Sequence, residues 1–199
     1  MLIRTMEKKD IFEVLSVAES AFSEEKLYKW AAQNNNERSI FIKRFFEFRL
    51  EAGFGKNFME IAVNDTNKIA GVAIWVPPVG DGNNNEGMPP DFNKIFLNIN
   101  NSVQERCYRF ISTVIEAENF FTKPYWTLAP IFIHKGMQGK GIASLLINRQ
   151  LKIIDNKHLP CILVTQEENN IPIYERYGFK TAVEVPIDVG IISYGMIRK

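Results

Sequence analysis

Two cysteines in 199 residues, Cys107 and Cys161, stand far apart and form neither a Cys-x-x-Cys pair nor a metal-ligand spacing. A thiol redox centre and a structural zinc site are therefore not expected. Cys161 lies in an apolar run, where a thiol acts as a small buried hydrophobe. Excess charge is also missing. Lys and Arg number 24 against 23 Asp and Glu, a net charge of +1, which argues against a dedicated nucleic-acid binder with a basic face. No apolar run is long enough to span a bilayer. Met1-Leu2-Ile3 gives way to charged residues within a few positions, unlike a secretory signal. A reduced cytoplasmic setting, with neither nucleic acid nor membrane as partner, is the expectation.

Two nucleotide fingerprints are incomplete. Gly136 and Gly141 have Walker A spacing, but Ile142 stands where that loop requires Lys. Gly139 and Gly141 begin a dinucleotide motif, but Ser144 replaces its third glycine. The strand Cys161 to Thr165 also ends without an acidic residue for a ribose. What is present is Gln138-Gly139-Lys140-Gly141-Ile142-Ala143, between an apolar run, Trp126 to Ile133, and an amphipathic run from Ile142 to about Asn156. A Gly-rich turn from strand to helix lets backbone approach a ligand. The first N–H groups of the helix have no internal partner, and its dipole adds positive charge there. The segment is suited to a diphosphate.

This Gln-x-x-Gly-x-Ala-type loop resembles the coenzyme A pyrophosphate loop of the Gcn5-related N-acetyltransferases. Asn170-Ile171-Pro172-Ile173-Tyr174-Glu175-Arg176-Tyr177-Gly178-Phe179 is similar to the C-terminal signature of that superfamily. From Tyr125 to Lys199 the chain also resembles the puromycin N-acetyltransferase-like subgroup, through Trp126-x-Leu128-Ala129, the Gln-Gly-Lys-Gly loop and the Asn170 to Phe179 block. Upstream, Ala73-Ile74-Trp75 followed by Pro77 is similar to a Trp-containing strand of the subgroup. The likeness is thin before Gly71.

The resemblance implies an α/β GNAT fold. Its central mixed, mostly antiparallel sheet has about seven strands, with strands 4 and 5 splayed, and is flanked by helices. One domain spanning residues 1–199 fits the length. The chain reads accordingly. Leu2 to Thr5 forms a strand. Asp10 to Phe22, with Asp10 as N-cap, Glu24 to Gln33, and Glu37 to Ala52, stopped by Gly53, form helices. Phe58 to Val63 and Lys68 to Val76 form a hairpin around Asn64 to Asn67. Pro77 to Pro90 is a polar loop suited to a lid over the site. Helical stretches follow at Asp91 to Ile99 and Val103 to Phe121. Phe179 to Val185 and Ile191 to Ile197 pair last.

The resemblance implies acetyl-CoA as cofactor, with its pantetheine arm lying along Ile131, Phe132 and Ile133 like a guest strand. Gln138, Gly139, Lys140, Gly141, Ile142 and Ala143 then cradle the pyrophosphate. Asn170 begins the motif helix and either caps it or contacts the cofactor. Tyr174 occupies the place of a phenol beside the thioester sulfur. It is the expected general acid, because a phenol remains protonated at pH 7. Tyr177, three residues on, is less suited by its place in the motif. No metal is expected.

The general base is not evident. The puromycin enzymes carry Leu-Glu-Thr in the fifth strand, whereas this chain has Leu163-Val164-Thr165, which argues against puromycin as acceptor. Glu167 and Glu168 read as charges before a helix, and His134 faces the phosphate end. Lys135 and Lys152 read as surface lysines. The acceptor pocket is expected from the N-terminal half. Its candidates are Trp30, Phe41, Phe45, Phe46, Phe48 and Phe54 as an aromatic wall, Glu47 and Glu51 as attractors of a cation, and Trp75 or Trp126 in contact with the acceptor. The leading reading is acetyl transfer to a small-molecule primary amine. Transfer to a protein or peptide amine, and non-catalytic acyl-coenzyme A sensing, are the alternatives. A homodimer is left open.

Overall fold

The computed structural model describes residues 1–78 and 90–199. The expected lid falls mostly on residues 79–89, outside the described residues. The elements run β1 (Leu2–Thr5), α1 (Ile11–Phe22), α2 (Lys26–Ala31), α3 (Asn35–Gly53), β2 (Phe58–Val63), β3 (Ile69–Val76), α4 (Asn101–Asn119), β4 (Trp126–Ile133), α5 (Ile142–Asp155), β5 (Cys161–Thr165), α6 (Ile171–Glu175), β6 (Lys180–Asp188) and β7 (Ile191–Arg198). The stretch before α4 is a 3-10 helix, Pro90–Phe96.

Helix starts follow their polar residues. Asn34 accepts hydrogen bonds from the N–H groups of Asn36 and Glu37, so α3 begins two residues before the expected Glu37. Asn100 caps α4 in the same way. Asp10 does not cap α1. Its carboxylate meets Arg4 at 2.6 and 2.8 Å and accepts the Glu7 N–H at 2.8 Å. The charged partner outcompetes the backbone, because hydrogen bonds between ionised groups are stronger than neutral ones. The second helix is shorter than its sequence suggests, at Lys26–Ala31.

The seven strands form one sheet in the order β1-β2-β3-β4-β5-β7-β6. Every pair is antiparallel except β4 with β5. Helices cover both faces, so alternate strand residues enter different cores. Ile61, Val63, Val72, Ile74 and Phe132 meet α1, α2, α3 and α4 on one face. Ala62, Ala73, Trp75, Trp126 and Leu128 meet α5 on the other.

In β4 the alternation breaks. Ala73 opposes Ile131 while Trp75 opposes Leu128, so β4 carries one extra residue there. This bulge reverses which face later residues point to. Leu128 and Ile131 consequently pack on the same core. The bulge falls at Ala129 and Pro130, and Pro130 has no N–H to give to a ladder. Beside it, β4 and β5 separate. Their register runs Trp126↔Cys161, Thr127↔Ile162, Leu128↔Leu163 and stops. Strand β5 remains paired with β7 through Thr165↔Tyr194. Strand β4 remains paired with β3 through Ile133↔Gly71.

Candidate active site

Beyond Leu128 and Leu163 the parted strands leave a cavity of about 130 Å³. Ala129, Pro130 and Ile131 form one wall, and Val164, Thr165 and Gln166 the other. Tyr174 of α6 and Asn170 close one side. Phe22, Tyr28, Phe45, Phe46 and Arg49 from the N-terminal helices, with Phe110, Val114 and Glu118 of α4, close the opposite side. A wider recess of about 610 Å³ is lined by Glu25, Glu167 and Asn170, which the two cavities share, and by Lys26, Lys29, Lys135 and Gln138.

The β4–α5 loop has an open backbone. Gly139 and Gly141 adopt φ of +74° and +76°, and a Cβ built on either would meet nothing within 4 Å. Gly141 is the N-cap of α5 and offers no side chain to its first N–H groups. Gln138 is exposed, and its amide donates to the Ile133 carbonyl at 3.3 Å. Lys140 is exposed, Ile142 is 2 % exposed in the core, and Ala143 packs against that core. Such a cradle, with unshielded N–H groups at a helix start, fits the pyrophosphate of coenzyme A.

The motif helix separates its tyrosines. Tyr177 meets the Ser144 hydroxyl of α5 at 2.6 Å and belongs to the packing of that helix. Tyr174 lines the cavity, its ring edge-on to Phe179 at 6.2 Å. Burial, then the Glu25 charge, push its phenol well above the ordinary range, so it remains protonated. Asn170 begins α6 without a side-chain cap. Its amide donates to the Thr165 hydroxyl at 3.4 Å, and the residue lines both cavities.

Other expectations need revision. Trp75 and Trp126 are 0 % and 1 % exposed and line neither cavity. Both point from the sheet into the core under α5, away from the cleft. Of the aromatic candidates, Phe45 and Phe46 reach the cleft. Phe41 is core, and Phe48 and Phe54 pack against that core. Trp30 donates instead to Asp188 at 2.7 Å. Glu47 and Glu51 face outward. His134 is exposed, and its Nδ1 accepts the Gly136 N–H at 3.1 Å, holding the loop start.

The sequence reading missed Glu25, Tyr28, Arg49 and Glu118. Arg49 donates to the Ala129 carbonyl at 3.2 Å and lies over the Phe45 ring at 5.6 Å. Burial lowers its pKa and raises those of Glu118 and Tyr28. Burial first, and the neighbouring Glu167 second, push the Glu25 carboxyl up to about 8. Helix α2 is moored around this site. The Lys26 N–H donates to Glu167 at 3.2 Å, the Lys26 ammonium donates to the Gly190 carbonyl, and Trp30 holds Asp188.

A seven-stranded, mostly antiparallel sheet, with one parallel pair that parts beside a glycine-rich turn into a helix, is the GNAT acetyltransferase fold. Residues 111–199 match the family model for an acetyltransferase (GNAT) domain. Solved structures share the architecture at low identity. One, the histone acetyltransferase HPA2 and related acetyltransferase of Corynebacterium glutamicum, superposes with a TM-score of 0.70. It is 19% identical, over 98% of this chain and 94% of that one. The PaiA N-acetyltransferase of Thermoplasma acidophilum, in complex with coenzyme A, gives 0.58 at 14% identity, over 100% and 98%. A GNAT family acetyltransferase from Brucella melitensis, in complex with acetyl-CoA, gives 0.50 at 19% identity, over 90% and 82%. Among the described residues no helix is long and apolar enough to cross a membrane, and no acidic, His or Cys cluster could hold a metal.

Proposed function

We propose that the chain is an N-acetyltransferase, folded as one domain, that moves an acetyl group from acetyl-CoA to a primary amine of a small molecule by direct attack. The observation that carries this reading is the parting of β4 from β5 after Leu128↔Leu163, with Tyr174 lining the gap and the open glycine turn following β4. The cofactors of the Thermoplasma and Brucella structures support it.

Residues Ile131, Phe132 and Ile133 offer the pantetheine arm a backbone edge that β5 does not use. Gln138, Gly139, Lys140, Gly141, Ile142 and Ala143 hold the pyrophosphate through backbone N–H groups and the helix dipole. Asn170 stands where the two cavities meet and orients the arm. Bound there, the cofactor supplies an acetyl group activated as a thioester. Tyr174 holds a proton that burial keeps in place, and it donates this proton where negative charge develops on sulfur. Aromatic side chains of the N-terminal helices line the cavity. A cavity of about 130 Å³ suits a small acceptor better than a peptide.

The likeness to the puromycin N-acetyltransferase-like group rests on Trp126-x-Leu128-Ala129 and the Asn170 to Phe179 block, with Val164 in place of that group's Glu. A reduced cytoplasmic setting belongs to the same reading, and both cysteines are buried and free. The test is a panel of small amines and peptides incubated with acetyl-CoA, read by free-thiol release and product mass. Acetylated small amines are expected. Transfer to peptides alone would establish the protein-directed reading. Cofactor binding with no transfer to any amine would leave a sensor.

A further inference from the structure

We propose that Glu25 receives the acceptor: its carboxylate holds the ammonium of a small primary amine bearing an apolar arm, and takes the proton that must leave before the nitrogen can attack. This deepens the acetyltransferase reading and rests on it.

Glu25 stands at the start of α2, where the short side chain of Ser, Thr, Asp or Asn turns back to the helix N–H groups. Here it makes no such cap. It lines both the cleft and the recess, at their junction, and its carboxylate takes no hydrogen bond or ion pair from a described residue. A half-buried carboxylate facing Phe22 and Phe46 is costly when alone, and a cationic ligand relieves that cost. The neighbouring carboxylates are committed. Glu24, in the recess, pairs with Lys29 at 2.7 Å, Glu167 accepts the Lys26 N–H, and Glu118 faces Arg49 farther along the cleft.

The charges around Glu25 place it beside the chemistry. Tyr174 faces it from α6, Tyr28 from α2, and Glu167 from the loop before α6. Lys26, Lys29 and Lys135 line the recess, on its outer side. Arg49 of α3 and Glu118 of α4 lie beyond Tyr28. An acid for the leaving thiolate and a base for the incoming nitrogen thus share one cavity, as transfer to an ammonium requires. The apolar arm then lies against Phe45, Phe46, Phe110 and Val114.

The step is a proton transfer. R–NH3⁺ and the Glu25 carboxylate become R–NH2 and the Glu25 carboxylic acid. One N–H bond breaks, one O–H bond forms, and the nitrogen keeps the electron pair with which it attacks. The proton leaves to water through the recess. A carboxyl raised to about 8 is a stronger acceptor for this proton than an ordinary glutamate, whose pKa is far below that of an amine.

The experiment compares two probes of equal shape, phenethylamine and O-benzylhydroxylamine, with acetyl-CoA and the full chain. Phenethylamine is a strong base that arrives as ammonium. O-Benzylhydroxylamine arrives already neutral. Glu25→Gln is expected to lower kcat/KM for phenethylamine by about 10²–10⁴-fold. The loss for O-benzylhydroxylamine should be no more than about ten-fold, and Glu25→Asp should recover part of the phenethylamine rate. Equal losses on both probes, or none, would overturn the proposal while leaving acetyl transfer established. No transfer by the parent chain to either probe would overturn the apolar-arm acceptor, and coenzyme A calorimetry would show separately whether the cofactor reading survives.

If the Gln variant does not fold, the parent's pH profile decides. With phenethylamine, kcat/KM should rise through the Glu25 titration near 8 and fall as the amine itself loses its proton. A rate that rises only with deprotonation of the free amine overturns the proposal.

Discussion

From Trp126 to Leu128, β4 has a ladder on each side; from Ala129 to Ile133 it keeps β3 and loses β5. Both stretches are mostly apolar. In the first, all three side chains are at most 7 % exposed, and Cys161 and Ile162 opposite are fully buried. In the second, Ala129, Pro130 and Ile131 are only partly buried. One inserted residue, and a proline with no N–H to share, change what the strand does. Its near end holds the sheet together, and its far end leaves the edge toward β5 unpaired. Hydrophobicity alone does not distinguish the ends. The bulge does.

Substitutions at the two ends should therefore fail differently. At the open end, Tyr174→Phe removes only the hydroxyl. We expect kcat to fall about 10²–10⁴-fold, with the melting temperature and coenzyme A affinity nearly unchanged. Full turnover under rate-limiting chemistry would take the acid role from Tyr174, and loss of folding would make it a packing residue. At the closed end, Trp126→Ala should cost about 3–5 kcal/mol of stability in urea unfolding, since the ring is 1 % exposed. A cost below about 1 kcal/mol would show that the seam carries little of the fold.

A third variant leaves both ends folded and blocks the guest. Gly141→Asp places a carboxylate where a diphosphate is expected, at a φ of +76°. Like charges set together cost several kcal/mol, so coenzyme A binding by calorimetry should weaken by at least about 10²-fold. Unchanged affinity would move the pyrophosphate elsewhere.

The smallest effect lies outside both ends and sets their background. Arg4, through its hydrogen bonds, holds the Asp10 carboxyl below the usual carboxylate range. A depressed folded-state pKa contributes stability above the unfolded value near 4, and that contribution is lost as pH falls through the folded value. Arg4→Met should thus lower stability by about 1.5–3 kcal/mol at neutral pH, and progressively less in acid. A deficit independent of pH would assign the loss to packing.

Much of the fold was legible because its signals are local. The alternation in β2 and β3, the helical spacing in α1 and α5, and the order of the two motifs each lie within a short stretch of chain. Those motifs also marked the glycine turn and singled out Tyr174, which lines the cleft, from Tyr177, which packs on α5. The acceptor side was not legible. Glu25 reads as one charge in Glu24-Glu25-Lys26, and nothing nearby in sequence shows that Tyr174 faces it across the cleft. Arg49 and Glu118 are hidden similarly, on helices whose other faces meet water. Trp75 and Trp126 misled because both faces of the sheet are covered, and apolar content does not say which face borders the cleft.

The ties on α2 have a consequence for what the far edge of the sheet can tolerate. Lys26 reaches the carbonyl of Gly190 and Trp30 reaches Asp188, both beside the tight turn between β6 and β7. That turn touches neither cavity, and its Val189 is 96% exposed. Yet it fixes where the first turn of α2 begins. The ordering entropy of the segment is incurred during folding, before any ligand arrives, so groups held there start close to their working positions. Lengthening this hairpin by a residue would leave every side chain of the cleft in place chemically while returning that segment to a broader ensemble. The turn thus carries a geometric constraint that its exposure conceals.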